Sequence, residues 1–204
     1  MDNTEKALGI LLFPGFELLD VFGPAEMFGN LPDQLSMHTV AAKAGPVASF
    51  QKTEVVAEFG IDSCPHLDWL LIPGGWGTRE AIADDTLMNW LRIRGQKADL
   101  VMTVCTGTAL AAKAGLLEGR RATSNKKSFQ WVTEQGPNTK WIKEARWVDD
   151  GDRVTSSGVS AGIDMALAVI EREFGAETAN KLAAYTEYNR EHDPDNDPFA
   201  KLWN

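Results

Sequence analysis

The sequence predicts a single α/β domain built on a mainly parallel central sheet. Two observations carry this. Short, continuously apolar runs alternate along the chain with segments of helical period. Three of those runs stop at strand-end punctuation: Phe13-Pro14-Gly15, Pro73-Gly74-Gly75 and Val104-Cys105-Thr106. A strand buried on both faces reads as an unbroken apolar run, because neither side of its pleat meets water. No repeat, low-complexity linker or compositional break divides the 204 residues, so one domain over 1–204 is expected.

The elements follow in order. Residues 7–13, ALGILLF, predict the first buried strand, stopped by Pro14-Gly15. Residues 17–30 have helical character, with Leu18, Leu19, Phe22 and Met27 available to one broad face. Gly23-Pro24 interrupts them, so a kinked or broken helix is expected. Residues 36–42 alternate as a second strand, and 46–61 hold short β-like runs suited to an edge hairpin. Residues 68–78 form a buried strand ending in Pro-Gly-Gly. Residues 84–98 open with two acids and place Leu87, Trp90 and Leu91 at helical spacing. Strand 99–104 then runs into helix 106–117, with a short strand at 121–124 and a helix at 127–135. Residues 145–158 read as two strands joined through Asp150-Gly151, a hairpin signal. Helices 160–175 and 176–189 follow, the first ended by Gly175, and the tail from 190 is acidic and broken by proline.

Hydrophobic residues make up 44% and charged residues 24% of the chain, which suits a soluble globular protein with a full core. The formal net charge of −9 argues against a nucleic-acid or anionic-membrane surface, since either needs clustered Lys and Arg. The one basic cluster, Arg120, Arg121, Lys126 and Lys127, reads as a solvated loop and helix start. The N-terminal apolar run breaks at Pro14-Gly15, and no stretch approaches the ~18 apolar residues of a membrane span. A cytoplasmic location is expected. Cys64 and Cys105 are then expected to be reduced, and without C-x-x-C spacing they suggest no zinc site.

Cys105 stands where a strand turns directly into a helix. Such corners are strained and project their side chain over the free N–H groups of the helix, which favours a thiolate. Gly107 relieves crowding at the turn. A buried, inert cysteine is the competing reading, and the local string does not separate the two. Gly74 and Gly75 let backbone amides approach a ligand closely. With the Thr106 amide they make a candidate oxyanion pocket, although a plain strand-to-helix turn has the same sequence. GGWG is neither G-x-G-x-x-G nor a P-loop, so no nucleotide site is expected. Asp20 lies among Leu18, Leu19, Val21 and Phe22, which places its carboxyl toward the interior, where burial keeps it protonated. Capping of a local turn is the alternative. Glu17 and Glu26 compete for the role and read as surface residues. His38, His66 and His192 fall in a strand, a loop and the polar tail, with no sign of a Cys–His dyad. Residues 193–197, DPDND, lack the Gly and the distant Glu of an EF-hand loop. Cys64, before Pro65, reads as a loop thiol near the surface.

Four ordered segments resemble the ThiJ/PfpI superfamily: ILLFPGFELLDVFGPAEMF, LLIPGGWGT, TVCTGTALAAKAGLLEGRRATS and VTSSGVSAGIDMALAVIE. The resemblance extends over about residues 7–190. It implies the flavodoxin-like, class I glutamine-amidotransferase-like three-layer sandwich, usually as a homodimer. It implies that Cys105 is the nucleophile-elbow cysteine and Asp20 the acid beside it. It also implies that the amides of Gly75 and Thr106 line a small pocket. Many relatives carry Glu at the acidic position, while the isocyanide hydratase branch carries Asp. Many also carry a histidine after the GLL-x-G-R-R turn, where this chain has Asn125, which weakens Cys–His protease or amidotransferase chemistry. The function implied is a hydratase or lyase on a small-molecule electrophile, converting an isocyanide to an N-formamide without metal or organic cofactor. Two alternatives stand beside it: glyoxalase-like action on 2-oxoaldehydes, and a redox or stress sensor in which Cys105 is oxidised. Similar domains are fused to AraC-type modules in regulators. With no basic DNA-binding segment here, direct DNA binding is not expected.

Overall fold

Apolar runs with no polar alternation have to be covered on both faces, and the chain covers them by placing them inside one sheet. The computed structural model describes residues 5–203. Along the chain run β1 (Lys6–Leu11), α1 (Leu18–Gly29), β2 (Leu35–Ala41), β3 (Gly45–Ala48), β4 (Glu54–Ala57), β5 (Phe59–Gly60), β6 (Trp69–Ile72), α2 (Thr78–Ala81), α3 (Asp85–Lys97), β7 (Leu100–Val104), α4 (Gly107–Lys113), β8 (Arg121–Ala122), α5 (Phe129–Thr133), β9 (Lys140–Trp141), β10 (Trp147–Asp149), β11 (Arg153–Ser156), α6 (Ala161–Phe174) and α7 (Ala176–Tyr185). The central sheet has seven strands in the order β10-β11-β7-β6-β1-β2-β5. All neighbours are parallel except β10 and β11, which form the hairpin read from Asp150-Gly151.

Helices cover both faces. α1 packs on α6 and α6 on α7; α3 packs on α4, which also meets α2 and α5. This is the flavodoxin-like sandwich, and its core is the sheet itself. Leu8, Leu11, Leu70, Leu71, Ile72, Leu100 and Met102 are fully buried, each worth roughly 1.5–3 kcal/mol of transfer free energy before entropy is set against it. α3 shows the sequence logic most directly. Asp84 accepts from the amides of Thr86 and Leu87 (3.0 and 3.1 Å) as the N-cap, and Leu87, Trp90 and Leu91 are the buried face.

Some elements differ from expectation. Of the two outcomes expected for α1, kinked or broken, the break does not occur: the helix continues through Gly23 and Pro24. Pro24 has no N–H to give the Asp20 carbonyl, so the helix is continuous but one ladder bond is absent one turn after the acid. The edge hairpin exists as β3–β4 in a separate two-stranded sheet, and β8 pairs with β9 rather than with the central sheet. Cys64 is buried at 7% exposure, not near the surface. The basic cluster is also not uniformly solvated. Arg120 reaches Asp150 and Asp152 on the outside, whereas Lys126 is buried and pairs with Asp197 of the acidic tail at 3.5 Å. A second buried pair, Arg146 Nη2 to Asp164 Oδ2 at 2.6 Å, ties the residue just before β10 to α6, and Asp164 Oδ1 also accepts from the Glu191 amide.

Candidate active site

Because β1, β6, β7 and β11 are mutually parallel, their carboxyl ends lie along one edge of the sheet. The order reverses at β1: the chain passes first to β2 on one side, then to β6 on the other. A crevice forms outside the strand ends at such a switch point. Asp20 in the first turn of α1, Gly74 and Gly75 after β6, Cys105 and Thr106 after β7, and Val159 after β11 all converge there.

Cys105 has φ +57°, a left-handed backbone that a non-glycine residue adopts at a cost of order 1–3 kcal/mol. Its surroundings hold it there. Its amide reaches the carbonyls of Ser156 (3.3 Å) and Ser157 (3.1 Å), and its carbonyl accepts from Ser124 Oγ (2.7 Å) and Thr108 Oγ1 (3.1 Å). The corner has no spare room. A Cβ on Gly107 would press on the carbonyls of Ile72 and Pro73. Gly107→Ala is therefore expected to cost about 1–3 kcal/mol, read as a lower denaturant midpoint. An unchanged midpoint would mean that the corner relaxes freely.

Asp20 is completely buried. Its Oδ2 accepts from the Gly74 amide at 2.8 Å, while Oδ1 has no hydrogen-bond partner among the described residues. Burial pushes the carboxyl well above its ordinary value and outweighs the Gly74 hydrogen bond; the Glu17 charge adds to the rise, and the contact with Cys105 opposes it. Burial pushes the Cys105 thiol up as well, and the Asp20 charge beside it adds to this. The amides of Thr106 and Val159 and the Thr106 side chain oppose the rise by favouring the thiolate. The expected helix-terminus lowering of the thiol thus loses to desolvation. Each group thus acts on the other: the Asp20 charge raises the thiol, and the Cys105 contact holds down the carboxyl.

The glycines are positioned differently from a free oxyanion pocket. The Gly74 amide is taken by Asp20, and the Gly75 amide donates to Thr106 Oγ1 at 3.0 Å. Thr78 Oγ1 donates to the Gly75 carbonyl at 2.7 Å and lies 3.2 Å from Thr106 Oγ1. Gly74 has no space for a side chain, because a Cβ would lie 2.5 Å from the Thr106 amide nitrogen and 2.9 Å from Asp20 Oδ2. The amides that do address the sulfur belong to Thr106 and Val159. Val159 has φ +48°, unusual for a β-branched residue. Sequence reasoning did not single out Val159 or Ser124. For Val159 the signal was present: VTSSGV is another strand run ending in small residues before a helix, the same punctuation as at Gly74 and Cys105.

Cys105 and Thr106 open into a pocket of about 120 Å³ whose wall includes Glu17, Trp76, Arg79, Asn125, Lys127 and Val159. No histidine lines it. His38 pairs with Glu58, His66 with Asp68, and His192 is exposed. A larger cavity of about 380 Å³, bounded by Leu12, Phe13, Val47, Ala81 and Leu87, contains neither Cys105 nor Asp20. Among the described residues no three His, Cys, Asp or Glu side chains cluster to hold a metal ion, and no helix is long and apolar enough to cross a membrane.

A buried acid beside an elbow cysteine at the switch point of a parallel sheet defines a class of α/β protein, and comparison with known proteins says which. The chain belongs to the DJ-1/PfpI family, whose sequence model matches residues 6–172. It is similar to an isonitrile hydratase of Pseudomonas putida, with 33% identity over 89% of this chain and 78% of that protein. It is also similar to the HTH-type transcriptional regulator CdhR of Pseudomonas aeruginosa, 28% identical over 85% of this chain. The chain spans about half the length of that regulator, 52%. A ThiJ/PfpI family protein from Pseudomonas syringae has a similar structure, with a TM-score of 0.85 and 30% identity over 93% of this chain and 77% of that one.

Proposed function

We propose that this protein hydrates an isocyanide to the N-substituted formamide, with Cys105 as nucleophile and Asp20 as proton shuttle. The observation that carries the reading is the Asp20 carboxyl, fully buried against the thiol with one oxygen unpartnered. Such a group holds and moves a proton and makes no ion pair. The likeness to an isonitrile hydratase supports the same chemistry.

The reactive form of the pair carries one proton, on Asp20, with Cys105 as thiolate. The sulfur attacks the terminal isocyanide carbon and a C–S bond forms. Asp20 delivers its proton to that carbon, leaving a thioimidate and a carboxylate. Water then adds to the thioimidate carbon, and Asp20 carries the water's proton to the nitrogen. Collapse of the adduct breaks the C–S bond, returns the thiolate, and sends the hydroxyl proton to Asp20 as the formamide leaves. Every proton that moves passes through one carboxyl, so no imidazole is needed. The Thr106 and Val159 amides favour the thiolate in each cycle. Gly74 orients Asp20 through its amide, and Gly75 holds the Thr106 hydroxyl.

Glyoxalase-like chemistry has no imidazole to draw on here, because Asn125 and not a histidine stands in the wall. The reading extends to a cytoplasmic homodimer acting on a small molecule without metal or organic cofactor. The test is to incubate the protein with an aryl isocyanide and quantify the N-formamide. Formation that depends on Cys105 is expected. Lactate from methylglyoxal without any formamide would overturn the reading.

A further inference from the structure

We infer that Arg79 makes the Cys105 pocket selective for substrates that carry a carboxylate. This deepens the hydratase reading and rests on it for the identity of the reacting group.

Arg79 follows the Gly75-Trp76-Gly77 turn. Its guanidinium carbon lies 4.5 Å from the centroid of the Trp76 ring and 4.5 Å from that of Trp131. Both rings lie within cation–π distance of the guanidinium, which restrains it and leaves its N–H groups to make directed contacts. One of these, Nη2, donates to Ser128 Oγ at 3.3 Å. Arg79 makes no ion pair among the described residues, although most other arginines of the protein do. A planar fork held still and left without an acid is pre-organised for a carboxylate, which accepts two parallel hydrogen bonds from such a group.

Its location joins this to the chemistry. Arg79 lines the 120 Å³ pocket of Cys105 and also a neighbouring chamber of about 320 Å³. The two share Trp76, Arg79, Lys127 and Ser128. The small pocket suits a reacting carbon, and the chamber suits the rest of the molecule, with Arg79 at the junction. Acids are present too: Glu17 in the first space, engaged by Gln51 Nε2, and Glu134 in the second. Against them stand Arg79 and Lys127, so the joint wall is balanced in formal charge. Selectivity therefore comes from the aimed donors of Arg79 rather than from a general positive field.

The test compares isocyanoacetate with its methyl ester, which keeps the isocyanide and removes the charge. Wild type is expected to prefer the carboxylate in kcat/KM by roughly tenfold to a hundredfold, the range of charge-assisted hydrogen bonds. Arg79→Gln should bring the ratio close to one, mainly through a higher KM for the carboxylate. Because the ratio is taken within each variant, partial misfolding does not distort it. A second readout needs no turnover: the rate of Cys105 alkylation by iodoacetate over that by iodoacetamide, normalised to glutathione and followed on the Cys105 peptide. It should fall about tenfold in Arg79→Gln. If neither isocyanide is hydrated, the hydratase reading fails, and the alkylation ratio alone decides the role of Arg79. Where there is turnover, equal kcat/KM ratios in wild type and Arg79→Gln overturn the inference. Where there is none, an unchanged alkylation ratio does so.

Discussion

Asp20→Asn is expected to lower isocyanide turnover by about 10²–10⁴-fold, the usual contribution of a positioned proton shuttle, while raising thermal stability at neutral pH. The two effects have one cause. An asparagine still accepts the Gly74 hydrogen bond but cannot carry a proton from thiol to carbon or from water to nitrogen. Stability moves the other way because the folded pKa of Asp20 lies above its unfolded value. From the unfolded value upward the folded state binds more protons, so this group's contribution falls with pH until the folded value is passed, and its cost is largest above it. A neutral amide removes that cost. Cys105→Ala should abolish turnover outright. The pair also predicts the pH profile. At low pH both groups hold protons and the thiol is a poor nucleophile; at high pH no proton remains for the carbon. kcat/KM for wild type should be bell-shaped, and Asp20→Asn should abolish the bell set by the pair. Turnover in Asp20→Asn within a few-fold of wild type would reject Asp20 as the shuttle, and a loss of stability would reject its buried, protonated state.

The elbow was legible because it depends on local sequence. An apolar strand, a cysteine and a small-residue helix start are neighbours in the chain, and only a strained corner joins them. The parallel sheet was legible for the same reason, since β1, β6 and β7 are apolar without alternation. Asp20 was legible from the apolar residues around it. What escaped was set by contacts between distant residues. The Val159 amide reaches Cys105 because β11 lies parallel beside β7, which no local string states. The direction of the thiol shift depended on how deeply the corner is buried, and desolvation outweighed the helix terminus. β5, β8 and β9 are two residues each, too short to show a period. Lys126 looked solvated because its neighbours are charged; its partner Asp197 is 71 positions away, in a tail that reads as polar and broken by proline.

That tail contact has a measurable consequence: Asp197→Ala is expected to destabilise the fold by about 3–5 kcal/mol at pH 6, with a smaller loss at pH 9. Lys126 Nζ sits at 4% residue exposure, donating to Thr123 Oγ1 (2.8 Å) and the Ala145 carbonyl (2.6 Å), with Asp197 Oδ2 at 3.5 Å and the Phe129 ring 5.6 Å away. Burial lowers its pKa to about 8; Asp197 and Glu144 oppose the fall, and Lys143 adds to it. The folded value is thus below the ordinary 10.5. Between the two the unfolded chain binds more protons, so this group makes stability rise with pH from about 8 upward and leaves it flat below. Without Asp197 the cation loses its counter-charge and its pKa falls further, so the rise starts at lower pH. At pH 6 the variant carries a buried, uncompensated charge; at pH 9 the amine sheds its proton and most of the penalty. Lys126→Met combined with Asp197→Ala should recover much of the single-variant loss, because an apolar side chain carries no charge to compensate. Urea titrations of the three proteins at both pH values decide it. Equal losses at pH 6 and pH 9 would mean that Asp197 acts through its hydrogen bond from the Phe199 amide to Oδ1, 3.0 Å, and not through the buried pair.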